Sequence, residues 1–141
     1  ATDLLRLGYG ILENVLPYKT LKNPFISKGN PRFCTQYTNS MTGENVGPML
    51  SGTASWLTLA IFEMLGIAYT ADGIELSPML PEGTEEIKYT ITKGAVYNIT
   101  VTKKAGFSRI DENTKCTFDG KECGNTFPML KDGVHEIVIA L

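Results

Sequence analysis

The sequence predicts an α+β protein in which helical material comes first and an antiparallel β module follows. Three observations predict it. Residues 2–15 repeat apolar side chains at the spacing of one helix face, residues 56–65 are apolar almost without interruption, and from residue 73 onward apolar and polar residues alternate in short runs bounded by Gly and Pro. The change of character falls near Ala68 to Asp72, which divides the chain into residues 1–70 and residues 71–141.

Thr2 and Asp3 open the first helix, Leu4, Leu7, Ile11, Leu12 and Val15 form its apolar stripe, and Pro17 ends it. From Tyr18 to Leu50 neither period is sustained and Gly, Pro, Asn and Ser are frequent, so a long loop is expected. Loops of that length in compact domains are usually functional. The second half, PRFCTQYTNSMTGENVGP from Pro31 to Pro48, mixes aromatic and amide side chains. Rings suit the apolar face of a sugar, and Gln and Asn suit its hydroxyls.

The stretch MLSGTASWLTLAIFEMLG, Met49 to Gly66, organises the chain. Ser51 or Thr53 can cap a helix by accepting a backbone N–H two or three residues on, and Gly66 stands where a left-handed C-terminal residue is wanted. Glu63 is the only charge, so the helix should be enclosed by protein on all sides. It is too short to cross a bilayer. Its N-terminus combines unpaired N–H groups, hydroxyls and the side-chain-free Gly52, which makes it a place where phosphate can approach the backbone. One amphipathic neighbour cannot enclose such a helix, and monomers rarely leave large apolar patches open. The helical part is therefore expected to be the tail of a larger helical domain.

Beyond the boundary, GIELS (73–77), EIKYTIT (86–92) and AVYNITVTK (95–103) alternate as strands do. Cys116 to Phe118 precedes an Asp119-Gly120 pair of the kind found in tight hairpins, and HEIVIAL (135–141) supplies a final strand. Ile87, Tyr89 and Ile91 on one strand and Tyr97, Ile99 and Val101 on the next have the pattern of a core. Most of the charged residues lie in this half, as expected of strands with one wet face.

Composition narrows the class. With 141 residues, 43% hydrophobic and 20% charged, the chain is of ordinary globular type. A net charge of −2 supplies no basic field to displace counterions from nucleic acid. No secretory leader and no membrane-length apolar run is recognised, and three cysteines fit a reducing compartment, so a cytoplasmic location is expected, with neither nucleic acid nor membrane as partner. No cysteine pair has C-x-x-C spacing and there is one histidine, so no metal site is expected.

The string QYTNSMTGENVGPMLSGTASW, followed by an apolar helix, LGI, a DGIELSP strand and YTITKGAVYNITVTK, resembles the C-terminal end of inverting phosphorylases of glycoside hydrolase family 94. These are the cellobiose, chitobiose and β-1,2-oligoglucan phosphorylases, and the QYTN...GENVGPMLSGT form is nearer the last branch. The resemblance implies the last helices of an (α/α)6 barrel in residues 1–70 and a small antiparallel β-sandwich in residues 71–141. It implies no cofactor, with inorganic phosphate as co-substrate. A threonine-glycine pair of the family that binds phosphate matches Ser51 and Gly52, beside Thr53; serine keeps the hydroxyl. An upstream glutamine lining the sugar subsite matches Gln36, beside Tyr37 and Asn39. The family's general-acid aspartate and its phosphate-binding arginine and histidine have no counterpart here, so no catalytic residue is assigned and the chain alone should not turn over substrate. The implied partners are a β-linked glucose oligosaccharide, phosphate and the rest of the barrel, with homo-oligomerisation left open.

Each candidate also has a plain structural role. Ser51, Gly52 and Thr53 can serve as a helix cap alone. Gln36, Tyr37 and Asn39 can pin a loop through bonds to the backbone. Trp56 reads as core, His135 as a surface strand residue, and Cys116 and Cys123 as free thiols that could face each other across a hairpin. Competing functions follow: a non-catalytic carbohydrate-binding or packing β module, and part of a related glucan-processing glycosyltransferase.

Overall fold

The computed structural model describes residues 2–16, 22, 35–39, 41–42, 44–48, 55, 57–104, 106 and 108–141. The chain divides into two compact units, Ala1–Ile61 and Phe62–Leu141. The described residues make a mixed α+β protein. None of its described helices is long and apolar enough to cross a membrane.

In the first unit, helix α1 (Thr2–Val15) carries the stripe expected from its sequence, but the stripe is open: Leu4 is 73%, Leu7 61% and Ile11 61% exposed. Strands β1 (Thr35–Thr38) and β2 (Asn45–Pro48) form an antiparallel hairpin with Tyr37 opposite Val46. That hairpin corrects the expected uninterrupted loop from Tyr18 to Leu50. Periodicity missed it because neither strand alternates apolar with polar residues; the pairing follows from backbone bonds and the local turn instead.

Helix α2 (Thr58–Leu65) spans the division between the units and contains no buried residue. Leu59, Ile61 and Phe62 are exposed, so the described residues do not supply the enclosure expected for the helix. Gly66 ends it with φ +62°, and the Gly66 amide bonds the Glu63 carbonyl at 3.1 Å. A Cβ there would also lie 2.0 Å from the Ser77 carbonyl carbon, so both conformation and close approach require glycine.

The second unit is built from strands β3 (Ile67–Tyr69), β4 (Ile74–Leu76), β5 (Met79–Leu80), β6 (Glu86–Lys93), β7 (Ala95–Thr102), β8 (Ser108–Arg109), β9 (Lys115–Phe118), β10 (Lys121–Cys123), β11 (Thr126–Phe127) and β12 (Val134–Ala140). Five of them pair in the order β10-β9-β12-β7-β6, three as β11-β4-β3, and β5 with β8. Alternation dictates the outcome: along β7, every second residue from Ala95 to Val101 is buried. Register then aligns three rows on the inner face. Ile87, Val101, Ile139, Cys116 and Cys123 form one; Tyr89, Ile99, Ile137 and Phe118 the next; Ile91, Tyr97 and His135 the third. Ile74 and Leu76 of β4, Leu80 of β5 and Phe127 of β11 join the same buried cluster. Each fully buried aliphatic side chain in it contributes about 1.5–3 kcal/mol relative to exposure.

One part of the expected topology is corrected. The β6–β7, β9–β10 and β9–β12 pairs are antiparallel, but β12 runs parallel to β7. Parallel neighbours need a long connection. Residues 103–133 provide it, passing through the β9–β10 hairpin and β11 before the chain returns to the centre of the sheet. Alternation within a strand is blind to the direction of its neighbour.

Candidate functional site

The expected sugar-contacting residues share one hairpin. Gln36 and Tyr37 lie in β1, and Asn39 follows it directly. The Tyr37 side chain is 65% exposed. Asn39 is engaged locally, since its Oδ1 accepts the amides of Met41 at 2.9 Å and Thr42 at 3.2 Å, while its own amide donates to the Glu44 carbonyl at 2.8 Å. Such an Asx arrangement lets a side chain replace a backbone acceptor in a turn. Asn39 therefore pins the segment between β1 and β2, the structural role weighed for it above. Ser51, Gly52, Thr53 and Trp56 lie outside the described residues. A depression of about 450 Å³ on α1, lined by Asp3, Arg6, Leu7, Gly10 and Ile11, is open to solvent and contains none of the expected site residues.

In the β unit, Tyr69 is a half-exposed aromatic ring, but the Lys93 ammonium sits 4.0 Å over its centroid. The cation occupies a face that a sugar would need.

His135 is a strand residue as expected, but it is half-buried and not open on the surface. His135 pairs in register with Tyr97 on the inner side of β12, its side chain is 17% exposed, and its ring stacks on Phe118 with centroids 5.3 Å apart. A signal for this was present, since His135 has the same parity as Ile137 and Ile139. The Nδ1 atom lies 2.8 Å from Asp119 Oδ2, and Nε2 lies 3.3 Å from the Asp132 carbonyl oxygen. Both partners are acceptors, so the imidazolium, which donates from both nitrogens, satisfies the site. The bond to Asp119 holds the His135 pKa above its ordinary value against the opposing effect of burial, and the Asp132 carbonyl adds to it. Reciprocally, the His135 bond and then the Glu136 amide hold the Asp119 carboxyl below its ordinary value. With Nε2 directed at a carbonyl, this dyad has no nitrogen aimed at a reacting group. It fastens the β9–β10 turn to β12.

Lys103 is a second such residue, and it continues the parity of Tyr97, Ile99 and Val101. It is 8% exposed, and its Nζ donates to the carbonyl oxygens of Leu80, Pro81 and Gly106. The ammonium has three donors and meets three acceptors, which is what burial of a charge demands. Tyr89 Oη reaches the Leu65 carbonyl at 3.4 Å, and burial pushes its pKa up. Tyr97 Oη donates to the Pro128 carbonyl at 3.1 Å and accepts the Leu130 amide at 2.6 Å. Tyr89 thus ties β6 to the end of α2, and Tyr97 ties β7 to the loop after β11.

Among the described residues, no group of three or more His, Cys, Asp and Glu side chains could hold a metal ion. The fold and its polar contacts define an α+β protein with a self-packed β unit and exposed apolar helices. No protein-family model matches the chain, and no curated protein matches it.

Proposed function

We propose that this chain supplies the phosphate-binding end of an inverting glycoside phosphorylase, joining the last helices of an (α/α)6 barrel to a small C-terminal β-sandwich. The enzyme cleaves a β-glucoside, of the β-1,2-oligoglucan or cellobiose type, with inorganic phosphate to give α-glucose 1-phosphate. The single observation that carries this reading is the string from Gln36 to Trp56 running into an apolar helix and then a DGIELSP strand. The open apolar faces of α1 and α2 support it, since helices that complete a barrel would have such faces when its other helices are not counted.

In the proposed reaction a phosphate oxygen attacks the anomeric carbon while a carboxylic acid, supplied by protein outside these residues, protonates the departing oxygen. Phosphate takes the place of the activated water of an inverting hydrolase, so one catalytic acid suffices. Ser51, Gly52 and Thr53 hold the phosphate charge with amides and hydroxyls that need no reorganisation.

The test is release of glucose 1-phosphate from cellobiose and from β-1,2-linked gluco-oligosaccharides by the enzyme that contains this segment. Combining Ser51→Ala with Gly52→Val should raise the phosphate KM or lower kcat at least about tenfold, since loss of one preorganised anion donor costs roughly 10²–10³ in rate. Unchanged phosphate kinetics would sink the assignment of residues 51–53. A second reading, a non-catalytic packing or carbohydrate-binding β module, draws on the self-contained core of residues 62–141. Calorimetric binding of a β-glucan oligosaccharide to the chain, independent of phosphate and unchanged by Ser51→Ala combined with Gly52→Val, would favour it.

A further inference from the structure

We propose that Cys116 and Cys123 form a reversible thiol–disulfide site, oxidised by a low-molecular-weight disulfide of the glutathione type. The inference is independent of the phosphorylase reading. It starts from the Asp119-Gly120 turn, where φ is +48° and +77°. Two successive positive values define the turn that suits a two-residue hairpin, and they fix the register of β9 on β10. Phe118 then faces Lys121, Thr117 faces Glu122, and Cys116 faces Cys123.

Directly opposed residues of an antiparallel pair have Cβ atoms about 4.5–5.5 Å apart on the same face of the sheet. A disulfide asks for about 3.5–4.5 Å, so closure needs a shift on the order of 1 Å. The structure allows it where it is needed. β10 is the outermost strand of its sheet, so it can move toward β9 without breaking a second ladder. Cys116 is held in place on the other side, opposite Ile139 of β12.

The two thiols also differ in a way that orders the chemistry. Cys123 is exposed and Cys116 is buried, and neither is bonded to another cysteine. The Cys123 thiolate attacks one sulfur of the small disulfide, forming a mixed disulfide and expelling one thiolate. The Cys116 thiolate then attacks Cys123 Sγ, forming the protein disulfide and expelling the second thiolate. Both leaving thiolates take up the protons that the two cysteines released. Two electrons pass from the protein to the reagent, and two small thiols are the products. Burial raises both thiol pKa values, with Cys123 adding to the effect at Cys116 and Glu122 at Cys123, so the exchange accelerates as pH rises.

Closing the bond would fix β10 at the point where the chain crosses between sheets. Two residues after Cys123, Asn125 donates from Nδ2 to the Leu76 carbonyl and to Ser77 Oγ, each at 3.2 Å, and its carbonyl accepts the Leu76 amide at 2.9 Å. The disulfide therefore clips the edge of one sheet beside its link to the other.

The experiment uses the full chain carrying Cys34→Ser, so that residues 116 and 123 are the only thiols. The protein is incubated with excess oxidised glutathione at pH 8.5, alkylated and measured as intact mass and by peptide mapping. The expected product is monomeric, lacks two hydrogens, carries neither alkyl group nor glutathione, joins residues 116 and 123, and melts several degrees higher until dithiothreitol is added. In the further variant Cys116→Ser, glutathione should stay attached at Cys123. In Cys123→Ser, which changes an exposed position and leaves the core intact, Cys116 should stay reduced. Glutathione retained on Cys123 while Cys116 still alkylates, a disulfide-linked dimer, or no oxidation at all would each overturn the proposal.

Discussion

Helix α2 and strand β12 are both short and rich in branched apolar residues, yet they meet opposite fates. In β12, Ile137 and Ile139 are at most 1% exposed; in α2, Leu59 and Ile61 are 66% and 46% exposed. The difference is one of partners. A strand at the centre of a sheet acquires neighbours on both sides from its own unit, and a second sheet covers its inner face. A helix that is apolar all round needs several other helices, and the described chain provides one more. Apolar composition thus specifies a demand for burial, and connectivity decides whether the same chain meets it.

Mutation breaks or sharpens that contrast. Phe127→Ala, in the core of the β unit, should cost about 3–5 kcal/mol in urea unfolding, while Leu7→Ser or Leu59→Gln on the open helices should change stability by no more than about 0.5 kcal/mol. Equal losses at the two kinds of site would show that the helix faces are covered, and the contrast would fail. Next in size is Gly66→Ala, which puts a side chain in the left-handed region and against the Ser77 carbonyl. It should cost about 2 kcal/mol or more, read as a lowered unfolding midpoint. Lys103→Met follows. It leaves the carbonyls of Leu80, Pro81 and Gly106 without their ammonium donor, at about 1–3 kcal/mol, and should speed proteolysis near residues 81–85.

The smallest effect is set by pH. The folded His135 pKa lies above its ordinary 6.5, so its contribution is complete below about pH 6.5 and is lost as pH rises through the folded value. The folded Asp119 pKa lies below its ordinary 3.8, so its contribution is complete above that value and is lost as pH falls through the lower one. Melting temperature should therefore show its largest advantage over His135→Gln between about pH 4 and 6.5 and lose it on either side. A difference that does not vary with pH would mean that packing on Phe118, and not the charge pair, is what His135 contributes. Asp132 and Lys121 face the same pair and modulate it, with Asp132 supporting the imidazolium and Lys121 the carboxylate.

Much of the β unit was legible because its physics is local. The alternation of Ile87, Tyr89 and Ile91, and of Tyr97, Ile99 and Val101, predicted a core-facing side for each strand, and the register brings the two sets opposite each other. Asp119-Gly120 predicted a hairpin, and both residues adopt the required positive φ. The β1–β2 hairpin was illegible because its residues carry no alternation to read. Of the candidate site, the sequence supplied residue types and a resemblance, and the structure places Gln36, Tyr37 and Asn39 on one hairpin, with Asn39 committed to its turn.

By itself the sequence determined the α+β class, the start of the first helix, the end of both helices, the core-facing positions of the long hairpin and the need for glycine at residue 66. Each follows from interactions within a few residues: period, capping, turn conformation. Only the tertiary structure decided that β12 runs parallel to β7, that Lys103 is buried against three carbonyls, and that His135 bridges Asp119 and Asp132. Those facts depend on which distant segments meet, and a buried charge acquires its character from neighbours that no local pattern names.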